Sequence, residues 1–256
     1  KPIRTFYQDN VIYVGGDGNR FEPARNEEVF KPEKGYQAEV GLKYQLNNIL
    51  SANASLFYIR KMNSTATLTN NYQEEVNGET TTMSVIGQVG VQDSKGFDFD
   101  VTLSPVSTLA LTIGYGLNDS KIREMKEIKD PELIEAIYGN NPDETKQQEG
   151  NWQSNVPNQT FYAYGSYTIP RGVLKNLEFH LSSSYTGKVY RNTSNNSWFD
   201  PYWVTDFGMS YLLNNNIHLT FNLNNLFDNN YYNQALGQQM VASMPRNFQV
   251  AISYTL

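Results

Sequence analysis

Three kinds of side chain in this sequence could do chemistry. The first are the two histidines, His180 and His218, which could bind a metal ion or haem. The second are carboxylates within alternating segments, which could act in acid–base pairs or face water: Glu39, Asp98, Asp100, Glu178 and Asp206. The third are aromatic residues in polar segments, whose rigid rings could hold a bulky ligand: Trp152, Tyr190, Trp198, Phe199, Tyr231 and Tyr232.

The motifs of common enzyme chemistry are missing. The chain has no cysteine, so it can form neither a disulfide nor a thiolate site. It has no glycine-rich phosphate loop, no nucleophile elbow and no cluster of cysteine and histidine, and its carboxylates are not spaced for acid–base catalysis. The formal net charge of −6 argues against a nucleic-acid partner. We therefore expect no enzyme activity, no catalytic residue, no metal site and no cofactor.

The segments that must position these side chains have a period of two. At the C-terminus Phe248, Val250, Ile252, Tyr254 and Leu256 alternate with polar or small residues. This alternation predicts β-strands with one apolar face and one polar or small face. The apolar face could pack on a second sheet in a soluble sandwich, or it could face lipid in a membrane barrel with a wet lumen. Aromatic residues near the strand ends favour the barrel, because such rings settle at the bilayer interface.

The same pattern predicts nine strands along the chain. Their alternating positions run through residues 38–46, 50–58, 97–103, 109–117, 161–169, 177–185, 203–211, 217–223 and 248–256. Residues 1–34 are expected to be mainly loop, and Asp130 to Gly139 is expected to form a short helix within a charged loop. No run of about 18 apolar residues exists, so no membrane-spanning helix is predicted.

The connections between these strands alternate in length. Short connections are expected at 47–49, 104–108, 170–176 and 213–216, and long ones at 61–82, 119–156, 188–201 and 228–246. Short turns at one end and long loops at the other are typical of outer-membrane barrels, and a soluble sandwich has no reason to separate its loops by length. We therefore predict an all-β chain of antiparallel transmembrane barrel strands.

A barrel assigns a place to each candidate residue. The carboxylates and both histidines fall on polar faces, so we expect them to line the lumen, where the carboxylates face water or another domain. Roles in a transport path, for the carboxylates, or in metal or haem binding, for the histidines, are the alternatives. The six aromatic residues fall in the long loops or at the outer ends of strands, where we predict a ligand-binding surface. The alternative is that some belong only to the aromatic band at the membrane interface.

Longer stretches resemble one family. NLNNLFDNNYY, from Asn222 to Tyr232, and MPRNFQVAISYTL, from Met244 to Leu256, resemble the C-terminal hairpin of TonB-dependent outer-membrane receptors. Two further stretches, FKPEKGYQAEVGLKY (30–44) and DSKGFDFDVTLSP (93–105), resemble other strands of that family. The resemblance covers about residues 21–256 and is greatest to siderophore receptors of the ferrichrome-like branch.

The resemblance implies a larger protein. Receptors of this family hold an N-terminal plug domain inside a barrel of about 22 strands, and nine strands with two open edges could not close such a barrel in lipid. The chain also begins with Lys1 rather than methionine. We therefore expect residues 1–256 to be the C-terminal portion of a single barrel domain, with 1–34 mainly extracellular loop and 35–256 nine strands. The plug and the N-terminal strands would lie in a separate chain or fragment of the same receptor.

The function implied by the resemblance is active uptake of a ferric siderophore across the outer membrane of a Gram-negative bacterium, energised by TonB through the plug. The implied partners are TonB, the plug-bearing part of the receptor, the ferric siderophore, outer-membrane lipid and, as in some gut-bacterial receptors, a surface lipoprotein. The alternatives are a passive channel or structural surface barrel, an outer-membrane enzyme, and uptake of cobalamin, haem or oligosaccharide. Haem is disfavoured because the FRAP and NPNL stretches of haem receptors are missing, and a barrel enzyme would need a Ser/His/Asp cluster at the rim.

Overall fold

The regular elements in the described part of the chain are all β-strands. The computed structural model describes residues 3–8, 11–15, 21–22, 32–76, 79–124, 148–191, 193, 195–214, 216–236 and 239–255. The strands are β1 (Ile3–Gln8), β2 (Val11–Gly15), β3 (Phe21–Glu22), β4 (Lys34–Leu46), β5 (Leu50–Val76), β6 (Glu79–Val106), β7 (Leu109–Glu124), β8 (Gln159–Thr168), β9 (Leu177–Thr186), β10 (Val189–Tyr190), β11 (Trp198–Phe199), β12 (Tyr202–Asn214), β13 (Ile217–Asn224), β14 (Tyr232–Leu236), β15 (Gln239–Ala242) and β16 (Asn247–Tyr254). The described part of the chain has no helix long and apolar enough to cross a membrane.

The chain forms two compact units. The first comprises Lys1–Gln37, Ile59–Ser94 and Ser120–Gln153, and the second comprises Ala38–Tyr58, Lys95–Asp119 and Ser154–Leu256. In the second unit nine strands lie side by side in the order β4-β5-β6-β7-β8-β9-β12-β13-β16. Across the described residues β4 pairs only with β5 and β16 only with β13, so β4 and β16 are the two unpaired edges of this nine-strand run. The all-β, antiparallel prediction is confirmed, and the chain is a partial barrel.

The strand register lines up apolar residues in one face and polar residues in the other. One apolar row crosses β9, β12, β13 and β16 and consists of Leu181, Phe207, Leu223 and Phe248. The adjacent row points to the opposite face and consists of His180, Gly208, Asn222 and Gln249. Many side chains on the apolar face are exposed within this chain, among them Leu181 at 50%, Phe248 at 69% and Ile252 at 72%. A continuous uncovered apolar face of this size needs an apolar surrounding.

A further row on the apolar face is entirely aromatic. It crosses β7, β8, β9 and β12 and consists of Tyr115, Phe161, Tyr185 and Trp203. The ring centroid of Trp203 lies 4.9 Å from that of Tyr185 and 5.6 Å from that of Phe161. On β8, β9 and β12 the row lies within three residues of the strand end that is next to a longer connection. Bands of aromatic rings at this level mark the membrane interface in transmembrane barrels.

The short connections occur where the sequence predicts them. They comprise residues 47–49, 107–108, 169–176 and 215–216. Two of them contain asparagine with positive φ, at Asn47 (50°) and Asn176 (70°), a conformation that asparagine tolerates better than most residues. Tight turns of this kind fix the register of the strands that they join.

All four expected long loops and the expected N-terminal loop contain strand residues; in the loop expected at 119–156, β7 continues to Glu124. Within 1–34, where mainly loop was expected, the chain forms β1, β2 and β3, and across 61–82 it continues β5 and β6 beyond the nine-strand run. The connections 188–201 and 228–246 carry the short hairpins β10–β11 and β14–β15. Pairing satisfies the backbone N–H and C=O groups of these segments, which explains why they do not remain irregular. The helix expected from Asp130 to Gly139 lies outside the described residues.

The first unit is held partly by buried polar groups. Here β1 pairs with β2 and β3, and β2 pairs with β6. Asp93 is 5% exposed and accepts hydrogen bonds from Arg60 Nε at 2.8 Å and Nη2 at 3.2 Å. The Nε atom of Arg123 lies 3.4 Å from the second carboxylate oxygen of Asp93. Close by in sequence, Ser94 Oγ and Ser120 Oγ are 2.6 Å apart, and Ile122 is fully buried.

Candidate ligand-binding site

The hairpin of β10 and β11 presents one aromatic face with a cation on it. Its register pairs Tyr190 with Trp198, so both side chains lie on the same face. Their ring centroids are 6.4 Å apart, with planes at 73°. The Nζ atom of Lys188 lies 3.9 Å from the Trp198 ring centroid and 4.6 Å from that of Tyr190. The ammonium group is thus held by two ring faces.

The opposite face of the hairpin repeats this arrangement with arginine. Phe199, which pairs with Val189, is only 6% exposed. The guanidinium carbon of Arg191 lies 5.5 Å from the Phe199 ring centroid, and Arg191 Nη1 donates to Ser197 Oγ at 3.0 Å. The Nε atom of Arg191 is buried and has no hydrogen-bond partner among the described residues. On the same ring, Tyr232 stacks with a centroid distance of 5.7 Å.

Tyr231, the residue before Tyr232, contacts the strand β12. Its ring stacks on that of Tyr202 with centroids 4.1 Å apart. Its backbone N–H donates to Ser243 Oγ at 3.2 Å, and the N–H of Ser243 donates to the Tyr231 carbonyl at 2.8 Å. Burial raises the pKa of the Tyr231 phenol, and the nearby Tyr202 and Asp206 add to the effect. The phenol is therefore neutral at physiological pH, and it can donate a hydrogen bond as well as stack.

Five of the six predicted aromatic residues lie in the second unit, on or next to the β10–β11 and β14–β15 hairpins. Three separate ring contacts involve them: Tyr190 with Trp198, Phe199 with Tyr232, and Tyr231 with Tyr202. The sixth, Trp152, belongs to the first unit, where it forms a bridge with Lys121 and where Lys121 Nζ lies 5.0 Å from its ring centroid. Their role as ligand contacts remains a prediction.

Sequence reasoning missed three members of this set. They are Lys188, Arg191 and Tyr202. Lys188 stands two residues before Tyr190, so the period of a strand would have placed both on one face, had the two-residue strand been recognised. Across the described residues, neither Lys188 nor Arg191 has a carboxylate within salt-bridge distance. The set therefore combines aromatic faces with two cations, and one carboxylate, that of Asp200, accepts a hydrogen bond from Trp198 Nε1 at 3.2 Å.

The carboxylates on the strands have polar partners of their own. Asp100 Oδ2 accepts from Asn53 Nδ2 at 2.8 Å, and Asp206 Oδ1 accepts from the Asn225 backbone N–H at 2.7 Å. Glu178 accepts a long bond from Thr168 Oγ1 at 3.5 Å, and Asp98 lies beside Gly116, where a Cβ atom would be 2.8 Å from its Oδ1. That they face a plug or lumen water stays a prediction.

Each histidine contacts its neighbouring strands. The ring of His180 stacks on that of Tyr164 with a centroid distance of 6.3 Å and covers Gly208 on the neighbouring strand. His218 is exposed and pairs with Leu212 and Ser253. Among the described residues no group of three or more His, Cys, Asp or Glu side chains could hold a metal ion.

Comparison with known proteins places this fold in one class. The family described as TonB dependent receptor-like, beta-barrel, matches residues 3–226. The chain is 26% identical over 240 residues to a probable TonB-dependent siderophore receptor, PiuA, of Acinetobacter baumannii, covering 91% of this chain and 29% of that protein. It is 25% identical over 229 residues to the metal-pseudopaline receptor CntO of Pseudomonas aeruginosa, covering 88% of this chain and 28% of that protein.

Solved structures show the same fold. The crystal structure of the siderophore receptor PiuA from Acinetobacter baumannii aligns with a TM-score of 0.68 at 22% identity, covering 95% of this chain and 33% of that one. BauA, the ferric preacinetobactin receptor of the same species, aligns with a TM-score of 0.67 at 20% identity, with the same coverage.

These matches define a β-barrel of the outer-membrane receptor class. The chain belongs to the TonB-dependent receptor family, and it spans about three tenths of the length of the curated relatives that it matches. The members of this family are receptors rather than enzymes, and they are outer-membrane proteins.

Proposed function

We propose that this chain is part of a receptor that takes up a ferric siderophore across the outer membrane of a Gram-negative bacterium. The observation that carries the proposal is the aromatic set on the β10–β11 and β14–β15 hairpins, with Lys188 and Arg191 on its rings. Aromatic rings with cations on their faces suit a bulky, negatively charged iron complex that has planar arms. PiuA is described as a siderophore receptor and BauA as a ferric preacinetobactin receptor, which supports this ligand class.

The proposed mechanism also needs a plug and further barrel strands. We propose that the plug domain and the other barrel strands belong to the same receptor, as a preceding part or a separate fragment, and that they cover the open edges of β4 and β16. TonB would then act on that plug to release the ligand inward. The aromatic row from Tyr115 to Trp203 supports a position at the membrane interface, with the ligand set beyond it.

A second ligand class is favoured by one relative. CntO is described as a metal-pseudopaline receptor, so a chelate of another metal is the alternative cargo. The same aromatic and cationic set would recognise such a chelate through its organic ligand rather than through the metal. Competition between the ferric complex and the same chelator loaded with another metal distinguishes the two.

The test is uptake of radioactive iron by cells that carry the full-length receptor as their only siderophore receptor. Ferric catecholate and ferric hydroxamate complexes are supplied separately, in strains with and without TonB. The proposal expects saturable uptake of at least one complex that is lost without TonB. Uptake that is unchanged without TonB would indicate a passive channel, and no uptake of any ferric complex would refute the ligand class.

A further inference from the structure

One asparagine holds the point where β13 and β16 separate. Asn225 is 4% exposed and has a positive φ of 52°. Its side-chain Oδ1 accepts from the backbone N–H of Asn229 at 2.9 Å. Its Nδ2 donates to the carbonyls of Asn229 at 2.9 Å and Met244 at 3.3 Å, and its backbone N–H donates to Asp206 Oδ1. One residue thus fixes four polar groups on three segments of chain.

These bonds take over where the strand ladder stops. The pairing of β12 with β13 ends at Phe207 and Leu223, and that of β13 with β16 ends at Asn224 and Asn247. Beyond these pairs, the Leu226 N–H still donates to the Thr205 carbonyl at 2.7 Å, and Asn229 Nδ2 donates to the Trp203 carbonyl at 2.8 Å. Beside the first residues of β12, one backbone bond and the side chain of Asn229 therefore take the place of the missing strand pairs.

The other strand is tied to the same turn. The Arg246 N–H donates to Asp228 Oδ1 at 2.8 Å, and Arg246 Nη1 reaches the Leu226 carbonyl at 3.4 Å. The stretches NLFD and PR, which resemble the family hairpin, thus meet in space through these bonds. We call Asn225, Leu226, Asp228, Asn229 and Arg246 the brace.

The brace stands directly beside the candidate ligand contacts. Tyr231 follows Asn229 by two residues and stacks on Tyr202 of β12, and Tyr232 stacks on Phe199 of β11. The bond from Asn229 to Trp203 lies one residue along β12 from Tyr202. A shift of the brace would therefore move the rings of Tyr231 and Tyr232 away from their partners.

We propose that Asn225 is a positioning residue for the ligand-binding surface, acting through the brace to hold the β14–β15 hairpin against β12; for the ligand this rests on the proposed function. The residue type follows from three needs at one position. Asparagine tolerates positive φ, accepts through Oδ1 and donates through Nδ2. Aspartate would place an acceptor against two carbonyls beside Asp206, and glycine would keep the φ but leave the Asn229 N–H and the Met244 carbonyl without this side chain.

The first test measures hairpin order without any ligand. The full-length receptor carries a nitroxide label at Met240→Cys on β15, a residue that is 45% exposed, and any cysteine elsewhere in the receptor is replaced by serine; this chain itself has none. Asn225→Gly isolates the loss of the side chain without backbone strain. Asn214→Ala is the matched control, because Asn214 Oδ1 accepts from Asn216 and Ile217 N–H groups at the other end of β12 and β13.

We expect the label to become more mobile in Asn225→Gly and to stay unchanged in Asn214→Ala, with unheated receptor of both variants migrating as folded barrel in gels. Unchanged mobility in a folded Asn225→Gly receptor would overturn the proposal, as would equal increases in the two variants. If Asn225→Gly does not assemble, Asn229→Ala replaces it, because this change removes only the bond to the Trp203 carbonyl. Unchanged label mobility in Asn229→Ala, or an increase equal to that in Asn214→Ala, would then overturn the proposal.

The second test measures binding of a ferric catecholate or hydroxamate, whichever the wild-type cells take up. We expect affinity in Asn225→Gly to fall about three- to tenfold, as for loss of one or two hydrogen bonds, and affinity in Asn214→Ala to stay within twofold, roughly the noise of additive surface changes. Increased label mobility with unaltered affinity would overturn the positioning role. Increased mobility in a receptor that takes up no ferric complex would refute the proposed function and leave the brace standing.

Discussion

The ring of Tyr231 stacks on the ring of Tyr202, with centroids 4.1 Å apart and planes inclined by 17°. Tyr202 opens β12, and Tyr231 lies in the segment between β13 and β14. The contact therefore packs the segment between β13 and β14 against a strand of the barrel wall. This segment carries a candidate ligand contact, Tyr231. Because the phenol is partly buried there, its ionisation is coupled to this packing.

Ionisation of Tyr231 is expected to loosen the connection only at high pH. Burial, Tyr202 and Asp206 raise the pKa of this phenol above the ordinary value of 10.0. Because the pKa is higher in the folded state, the contribution of this phenol to stability is complete below about pH 10. That contribution is lost as the pH rises through the folded-state pKa. The Tyr231→Phe receptor should therefore lack one high-pH phenolate absorbance step of the wild type and should match it at pH 7. A wild-type titration identical to that of the variant would contradict the assignment.

Lys188 is expected to provide charge rather than bulk to the ligand surface. Lys188→Met keeps an apolar stem near Tyr190 and Trp198 but removes the ammonium group. For a negatively charged ligand we expect affinity to fall by up to about fivefold and the salt dependence of binding to flatten. Lys175→Met, at a short turn, is the charge-matched control. An unchanged salt dependence in Lys188→Met would show that the ammonium group does not contact the ligand.

His180 and Gly208 are expected to be energetically coupled. A Cβ atom at Gly208 would overlap the His180 ring. Gly208→Ala should therefore cost about 1–3 kcal/mol of stability, as small-to-large changes in packed sites do. The double variant with His180→Ala should lose less stability than the sum of the two single variants. The measurement is the temperature at which the purified receptor loses its folded gel mobility, and strictly additive losses would contradict the contact.

Asp93 is expected to matter far more than an exposed acidic residue of the same unit. Asp93→Ala takes the buried carboxylate from Arg60 and Arg123. Both arginines are about one-third exposed, at 33% and 34%, so the cost should be about 1–3 kcal/mol rather than that of a fully buried pair. Glu33→Ala, which removes an exposed partner of Lys61, should cost under about 1 kcal/mol. Thermal denaturation of both variants tests the difference, and equal losses would contradict it.

The nine-strand run could be predicted from the sequence because its two faces differ chemically. Apolar residues such as Leu219, Phe221 and Leu223 alternate with polar ones, and the alternation defines both the strand and its face. The continuation of β5 and β6 across 61–82 could not be predicted, because residues such as Thr65 to Asn71 are polar or small at nearly every position and show no contrasting faces. Pairing between backbones then decides the structure, and such pairing leaves no periodic pattern of apolar residues in the sequence.

The candidate site could be predicted in composition but not in arrangement. Trp198 and Phe199 stood out as aromatic residues in a polar segment, yet β10 and β11 have two residues each, too few for any period. Their cations, Lys188 and Arg191, became evident only from the paired hairpin. Asn225 likewise is one asparagine among many in the sequence, because its contacts with Asp206 and Met244 join separate segments of the chain.

The most direct test of the account is binding of ferric siderophores to the purified full-length receptor by wild type, Tyr190→Ala and Trp198→Ala. Trp203→Ala is the control, because that tryptophan lies in the aromatic row on the apolar face of the sheet. We predict saturable binding by the wild type, and a loss of about tenfold or more in affinity for Tyr190→Ala and for Trp198→Ala. For Trp203→Ala we predict an affinity within about twofold of wild type. A wild-type receptor that binds no ferric siderophore would contradict the account, as would Tyr190→Ala and Trp198→Ala receptors that bind as tightly as wild type.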